Sequence, residues 1–272
     1  MSTQLIKHNF SQAAPHYLTN AAIQSAPATK IIERLGNYYR GGTILDRGSG
    51  PGTLAHQSER HYPFLAFDLS LAMLHQAQTR HKINGDASQL PFAEHSFPLI
   101  ISNLMLQWPE DKMQVMAEAY RVLQPGGTLI VTTLIKPSLA ELQQAWQQVD
   151  DHQHTLEFLT LADYVLNLQQ IGFKLLETEN WQTTVYFPSL AAVFKHFKAT
   201  GTSLAKSACN RGLGGKRQLQ QLEQAYSRVA AGLPLTYAYL LLVATKATGT
   251  DASERTPGFL DARVPLDQVT TI

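Results

Sequence analysis

Thr43-Ile44-Leu45-Asp46-Arg47-Gly48-Ser49-Gly50-Pro51-Gly52 decides how the rest of the chain is read. A short β-branched and apolar run ends in an acid, and glycines then recur at every second position. Residues 53–58 read as the start of a helix, with Thr53 placed to cap it. Strand, tight loop and helix in this order let backbone amides come close to a nucleotide-like ligand.

The spacing separates ligand classes. A dinucleotide fingerprint, G-x-G-x-x-G, sets a pyrophosphate on the helix N-terminus. Here the pattern is D-x-G-x-G-x-G, with Asp46 two residues before Gly48. A carboxylate at that place repels a pyrophosphate and suits an ammonium group. That points to the aminoacyl end of S-adenosylmethionine rather than to NAD. The plain alternative is a glycine-rich turn that holds nothing.

The chain has 272 residues, enough for one large domain or a domain with an added lobe. It is 44% hydrophobic and 16% charged, which describes a chain that buries a core. A net charge of +1 gives no global attraction to nucleic acid or to an anionic membrane. One cysteine, Cys209, excludes an internal disulfide framework and fits a reducing cytoplasm. No apolar run has the length of a membrane span, and the first twenty residues do not form a signal peptide. Neither a repeat nor a metal-ligand cluster is visible. The expectation is a cytoplasmic monomer.

Residues 1–40 read as helical. Ile6, Phe10, Ala13 and Ala14 form a short apolar face, and Pro15 interrupts it. A second helix is expected over 27–39, with Ile31, Ile32 and Leu35 inward. Tyr17, between them, is either a core aromatic or a lid over the ligand. Strands follow at 43–47 and at 64–67, the latter ending on Asp68, which stands 22 residues beyond Asp46. An acid at that spacing is placed to hold both ribose hydroxyls. The competing role is a helix cap, because Ser70 and a helix over 71–79 come next. Met73 is either adenine contact or core. A weak strand over 82–85 leads to Asp86, which can take the adenine amino group. A buried strand over 99–102 allows Pro98 only at its first position. Asn103 and Gln107 fall at the carboxyl end of that strand, where ligands bind in open α/β sheets. They either bind substrate or satisfy loose backbone groups.

A helix over 110–123, a strand over 128–134 and helices over 138–149 and 161–170 continue the pattern. Strands over 183–187 and 236–246 close it. Alternating strands and helices predict a mostly parallel sheet with right-handed crossovers. The stretch 188–232 departs from this, with helices at about 189–199 and 216–230. From 195 to 217 it carries Lys195, Lys198, Lys206, Arg211, Lys216 and Arg217 and no acid. That is either a solvated face or a dock for an acidic partner or a carboxylate-bearing substrate. Residues 247–272 read as a flexible tail.

The glycine loop, Asp68, Asp86 and Arg121-Val122-Leu123-Gln124-Pro125-Gly126-Gly127, in order, resemble class I S-adenosylmethionine-dependent methyltransferases. A narrower resemblance extends to Lys246. Residues 10–17, 102–108, 132–134, 138–146 and 234–237 are similar to the malonyl-acyl-carrier-protein O-methyltransferase family of biotin synthesis. That family methylates the free carboxyl of a malonyl thioester. The resemblance implies an α/β fold: a seven-stranded, mostly parallel Rossmann-like sheet with helices on both faces and a small helical insertion lobe. It implies a helical lid over 1–40, a core over 41–187 and 233–246, and a substrate or partner lobe over 188–232. It implies S-adenosylmethionine as cofactor and a malonyl-loaded acyl-carrier protein as partner.

Carried over by position, Asp46, Gly48, Ser49, Gly50 and Gly52 hold the aminoacyl part of the cofactor. Asp68 and Leu69 hold the ribose, while Met73, Asp86 and Ala87 hold the adenine. Asn103 and Leu104 face the methyl group, and Tyr17 closes over the site. Tyr17, Gln107, Lys195 and Lys198 are the expected substrate contacts. Some positions depart from the family pattern. Ser49 stands for the usual Cys, Pro98 for an Asp, Lys195 for an Arg, and Leu156-Glu157 for Asn-Arg. Arg47 replaces a small or apolar residue and is costly to bury unless paired. The resemblance implies a reaction by proximity with no acid–base residue, because the attacked carboxylate is already ionised at neutral pH. Two other readings share the loop: an enzyme methylating another small carboxylate or metabolite, and a non-catalytic protein that kept the fold.

Overall fold

The computed structural model describes residues 2–20, 22–58, 62–202 and 216–248. Its centre is a seven-stranded sheet in the order β3-β2-β1-β4-β5-β7-β6. The strands are β1 (Ile44–Arg47), β2 (Phe64–Asp68), β3 (His81–Asn84), β4 (Phe97–Asn103), β5 (Leu123–Leu134), β6 (Phe173–Phe187) and β7 (Leu233–Lys246). The first five run parallel, and β7 lies antiparallel to both β5 and β6. The order reverses between β1 and β4, so their carboxyl ends open a crevice there.

Alternation along the strands divides the core. Ile44, Leu99, Ile101 and Ile130 pack under α3 (Ala22–Tyr38) and α4 (Thr53–Gln57). Leu45, Ile100, Leu129 and Val131 face the other way, onto Val115, Met116 and Ala119 of α6 (Lys112–Val122) and Tyr164 and Leu168 of α8 (Leu161–Ile171). A third cluster caps the carboxyl edge. It joins Ile6 of α1 (Thr3–Ala13), Trp146 of α7 (Ala140–Gln147), Phe197 of α9 (Leu190–Ala199) and Leu222 of α10 (Lys216–Ala225). The remaining short helices are α2 (Tyr17–Asn20) and α5 (Leu71–Gln76). No helix among the described residues is long and apolar enough to cross a membrane.

Several expected boundaries shift for physical reasons. The strand expected over 183–187 begins ten residues earlier, at Phe173. β6 is an edge strand, and its half-buried face carries Glu177, Glu179 and Trp181 instead of an apolar run. Those acids find partners on α3: Arg34 donates to Glu179 at 2.7 Å and to Glu177 at 3.2 Å, while Lys30 pairs with Glu179 and Tyr38 with Glu177. Helix α3 starts at Ala22, and Pro27 lies inside it. A proline there lacks the N–H that would bond the Ile23 carbonyl, and the Tyr239 hydroxyl donates to that carbonyl instead, at 3.3 Å. Pro98 is the second residue of β4 and sits in a register shift against β5, where a missing ladder N–H is tolerated. Thr53 is the first helical residue rather than the cap, a place taken by Gly52 with φ 79°. Lys206, Cys209 and Arg211, together with nearly all of the expected tail, lie outside the described residues.

The carboxyl end of α6 depends on one buried cation. Lys246 at the end of β7 donates to the Tyr120 carbonyl at 2.7 Å and the Leu123 carbonyl at 2.9 Å. These carbonyls have lost their helical partners, and a cation suits the negative pole of the helix. Lys246→Met is expected to lower stability by about 1–3 kcal/mol, since buried carbonyls lose their donor. Denaturant unfolding of the variant checks this, and an unchanged midpoint contradicts it.

Candidate active site

The crevice at the carboxyl ends of β1, β2 and β4 is a cleft lined by residues of all three strand ends and of α1. The loop after β1 forms its floor. Gly48 has φ +72°, and a Cβ there would stand 2.4 Å from Met105 Cγ. Gly50 has φ +54°, and a Cβ would meet nothing within 4 Å, because the residue faces the open cleft. One glycine is required by packing and the other leaves room for a ligand.

Two carboxylates stand side by side at this floor. Asp68 accepts from the Gly50 amide and the Ser70 amide, both at 2.8 Å. It therefore ties the glycine loop to the N-terminus of α5, whose cap is the Ser70 hydroxyl. Burial pushes its carboxyl above the usual range, while the two amides work against that. Asp46 is 1% exposed, and its Oδ1 has no hydrogen-bond partner. Burial first, and the Asp68 charge second, push it up to about 8.

The cleft walls divide into a polar and an apolar end. Leu69, Met73, Asp86 and Ala87 line it beside Asp68. Asp86 accepts from the Ser88 amide at 2.9 Å and the Ser88 hydroxyl at 2.8 Å, which fixes the turn after β3. At the other end stand Ile6, Phe10, Leu104, Met105 and Trp108. Phe10 of α1 meets Trp108 edge to face at 5.2 Å. Tyr17 and Asn103 stand between the two ends. Leu104 has φ 51°, strained for a branched side chain, and Gln107 steadies it by donating to its carbonyl at 2.7 Å.

Of the residues expected from sequence, Tyr17, Gly48, Gly50, Asp68 and Asn103 line the cleft, as do Leu69, Met73, Asp86, Ala87 and Leu104. Asp46, Ser49 and Gly52 lie behind that surface in or beside the loop. Gln107 does not line the cleft. Its amide is engaged at both ends, by Leu104 and by the Thr133 hydroxyl at 3.2 Å, so it serves the turn. Lys195 and Lys198 are exposed on α9, whose Val193 and Phe197 face inward. No Lys or Arg is among the described residues that line the cleft. Ile6, Phe10, Met105 and Trp108 were missed as site residues. Their sequence signal, apolar residues in helical or turn segments, is the same as that of core.

The site fits S-adenosylmethionine. An uncompensated buried carboxylate oxygen at Asp46 calls for a cation, and the amino-acid arm of the donor supplies an ammonium. Gly50 opens onto free space, and acids stand at the tips of β2 and after β3. Among the described residues no group of three His, Cys, Asp or Glu is arranged to hold a metal ion.

Fold and cleft define a class I S-adenosylmethionine-dependent methyltransferase, and a family model described as a methyltransferase domain matches residues 45–131. A malonyl-[acyl-carrier protein] O-methyltransferase of Alcanivorax borkumensis is 33% identical over 89% of this chain and 86% of its own length. The chain belongs to the malonyl-[acyl-carrier protein] O-methyltransferase family. A biotin biosynthesis bifunctional protein BioHC of Cellvibrio japonicus is also 33% identical, over 89% of this chain, but the chain spans only 50% of that relative's length. An S-adenosylmethionine-dependent methyltransferase of Thermotoga maritima shares the fold, with a TM-score of 0.53 and 15% identity over 88% of this chain and 99% of its own. Family membership does not favour the readings of an enzyme for another metabolite or of a binding-only protein.

A cation bound beside Asp46 would make ligand binding a proton-linked event. The folded, ligand-free protein holds the Asp46 proton more tightly than the unfolded chain does. Its stabilising share is therefore full below about 3.8 and is lost as pH rises through about 8. An ammonium beside the carboxylate ionises it. Binding of S-adenosylhomocysteine at about pH 7 is expected to release up to roughly one proton, less above pH 9. Calorimetry in buffers of different ionisation enthalpy reads this directly. Asp46→Asn should abolish the buffer dependence, and a wild type without it contradicts the assignment.

Proposed function

We propose that this chain methylates the free carboxylate of a malonyl thioester carried on acyl-carrier protein, as a step of biotin synthesis in the cytoplasm. The observation that carries the reading is the two-ended cleft, acidic beside Asp68 and Asp86 and apolar beside Phe10, Leu104 and Trp108. The names of the relatives support the substrate, and a single cysteine fits the compartment.

When bound, S-adenosylmethionine supplies an electrophilic methyl carbon on a sulfonium that departs as a neutral thioether. The attacking carboxylate is ionised at neutral pH, so the chain needs no general base, and we assign no catalytic residue. Asp46 holds the ammonium, Asp68 the ribose hydroxyls, and Asp86 with Met73 and Ala87 the base. Tyr17, α1 and α2 form the lid. The chain's remaining work is to bring a carboxylate oxygen within roughly 3–3.5 Å of the methyl carbon and keep water away. Opposite charges vanish in the transfer, which a dry apolar wall favours. Lys195 and Lys198, on the exposed face of α9, then steer the acidic carrier rather than grip the malonyl group.

Incubation with malonyl-loaded carrier protein and S-adenosylmethionine should add the mass of one methylene to the carrier. No gain, with S-adenosylhomocysteine bound normally, overturns the substrate assignment. Lys195→Glu with Lys198→Glu should raise KM for the loaded carrier roughly 5- to 30-fold and leave kcat in place. An unchanged KM removes the steering role.

A further inference from the structure

Gln24, in the first turns of α3, is 7% exposed, and its side-chain oxygen Oε1 has no hydrogen-bond partner. A buried amide oxygen left unmatched costs stability, so its position calls for a reason. Three observations place it at the aminoacyl end of the cleft. Its backbone carbonyl accepts from the side chain of Asn103 at 3.2 Å. Its side chain neighbours the Tyr17 hydroxyl. Asn103 and Tyr17 both line the cleft. Asp46 shares this side of the sheet. Ile44, two residues before it, and Ile101, its register partner on β4, both pack under α3, and Asn103 lies two residues beyond Ile101.

Helix α3 is also opened where Gln24 sits. Pro27 withdraws the donor that would bond Ile23, and Tyr239 and Asn103 bond the Ile23 and Gln24 carbonyls from the sheet. The helix start is thus anchored to β4 and β7, beside Asn103 of the cleft.

An ammonium carries three N–H donors, and a single carboxylate oxygen leaves others unmatched once water is gone. Asp46 Oδ1 and Gln24 Oε1 are the two orphaned buried side-chain acceptors beside the cleft among the described residues. We infer that Gln24 Oε1 is the second acceptor for the ammonium of the donor's amino-acid arm, acting with Asp46. This rests on the cofactor placement given under Proposed function. A neutral acceptor suits the place, because a third carboxylate beside Asp46 and Asp68 would add repulsion.

The test compares two ligands by calorimetry. S-adenosylhomocysteine has the amino-acid arm; methylthioadenosine has the same adenosine and sulfur without it. Gln24→Leu should weaken S-adenosylhomocysteine roughly 5- to 20-fold and leave methylthioadenosine within about twofold. Gln24→Met, unbranched and similar in length, should repeat the pattern. An unchanged S-adenosylhomocysteine affinity, or an equal loss for both ligands, overturns the inference. A wild-type crystal structure with S-adenosylhomocysteine decides without any variant. Oε1 within about 3.3 Å of the ligand nitrogen supports the assignment, and a longer separation overturns it. A wild type that binds neither ligand removes the cofactor placement itself, an outcome distinct from selective failure at Gln24.

Discussion

Two neighbouring carboxylates in a nearly dry crevice govern how this molecule is built. Asp46 ends β1 and Asp68 ends β2, and β1 and β2 are paired strands. Burial disfavours the charged form of both, and the Asp68 charge further disfavours that of Asp46. The fold answers unequally. The Gly50 and Ser70 amides compensate Asp68 and make it a brace between the glycine loop and α5. Asp46 receives no such help at Oδ1. The left-handed turns at Gly48 and Gly50 go with this layout: the Gly50 amide turns back to Asp68, and the Gly48 and Ser49 amides donate to the Phe67 carbonyl. A site that keeps one acid uncompensated is prepared for a cation before any arrives.

The crevice is rigid because its parts are tied across the chain. Ser102 donates to the Arg47 carbonyl at 2.9 Å, Thr132 donates to the Asn103 side chain at 2.7 Å, and Asn84 donates to the Asp68 and Leu69 carbonyls at 2.8 and 2.9 Å. Ser11 of α1 meets Ser70 at 2.9 Å, which fastens the N-terminal helices to the mouth of β2. Ile6 joins the cluster at the carboxyl edge and Ala13 and Ala14 pack on Met73, so these helices cover the apolar end by packing as well as by hydrogen bonding.

Much of this was legible in the sequence where a residue's environment is set by its own neighbours in the chain. The buried parallel strands read as apolar runs, and the glycine loop and the acid 22 residues beyond Asp46 read as a ligand floor. What was not legible depends on partners far away in sequence. The polar first half of β6 becomes strand through Lys30, Arg34 and Tyr38, more than a hundred residues earlier. Lys246 reads as the end of a strand until α6 is laid beside it. Gln107 carries the look of a substrate contact, yet a strained turn at Leu104 takes its amide. The cations of α9 read either as a solvated face or as a dock, because charge shows in a sequence and facing does not; the fold puts Lys195 and Lys198 on the exposed side.

Arg47 shows how strand alternation separates stability from chemistry. It follows Asp46 directly, so the two side chains leave β1 on opposite faces. Asp46 faces α3 and the ligand crevice. Arg47 goes to α6, where it is fully buried and Nη1 donates to the Val115 carbonyl at 2.5 Å. Its Nε and Nη2 find no partner, and burial lowers it to about 10 while Glu118 pulls the other way. Glu118 is already engaged by Arg121 and the Leu90 amide, so it compensates Arg47 from a distance and only in part. The cost of this unusual guanidinium therefore falls on the packing of α6 against the sheet. Arg47 is not among the residues that line the crevice, although it follows Asp46 directly in β1.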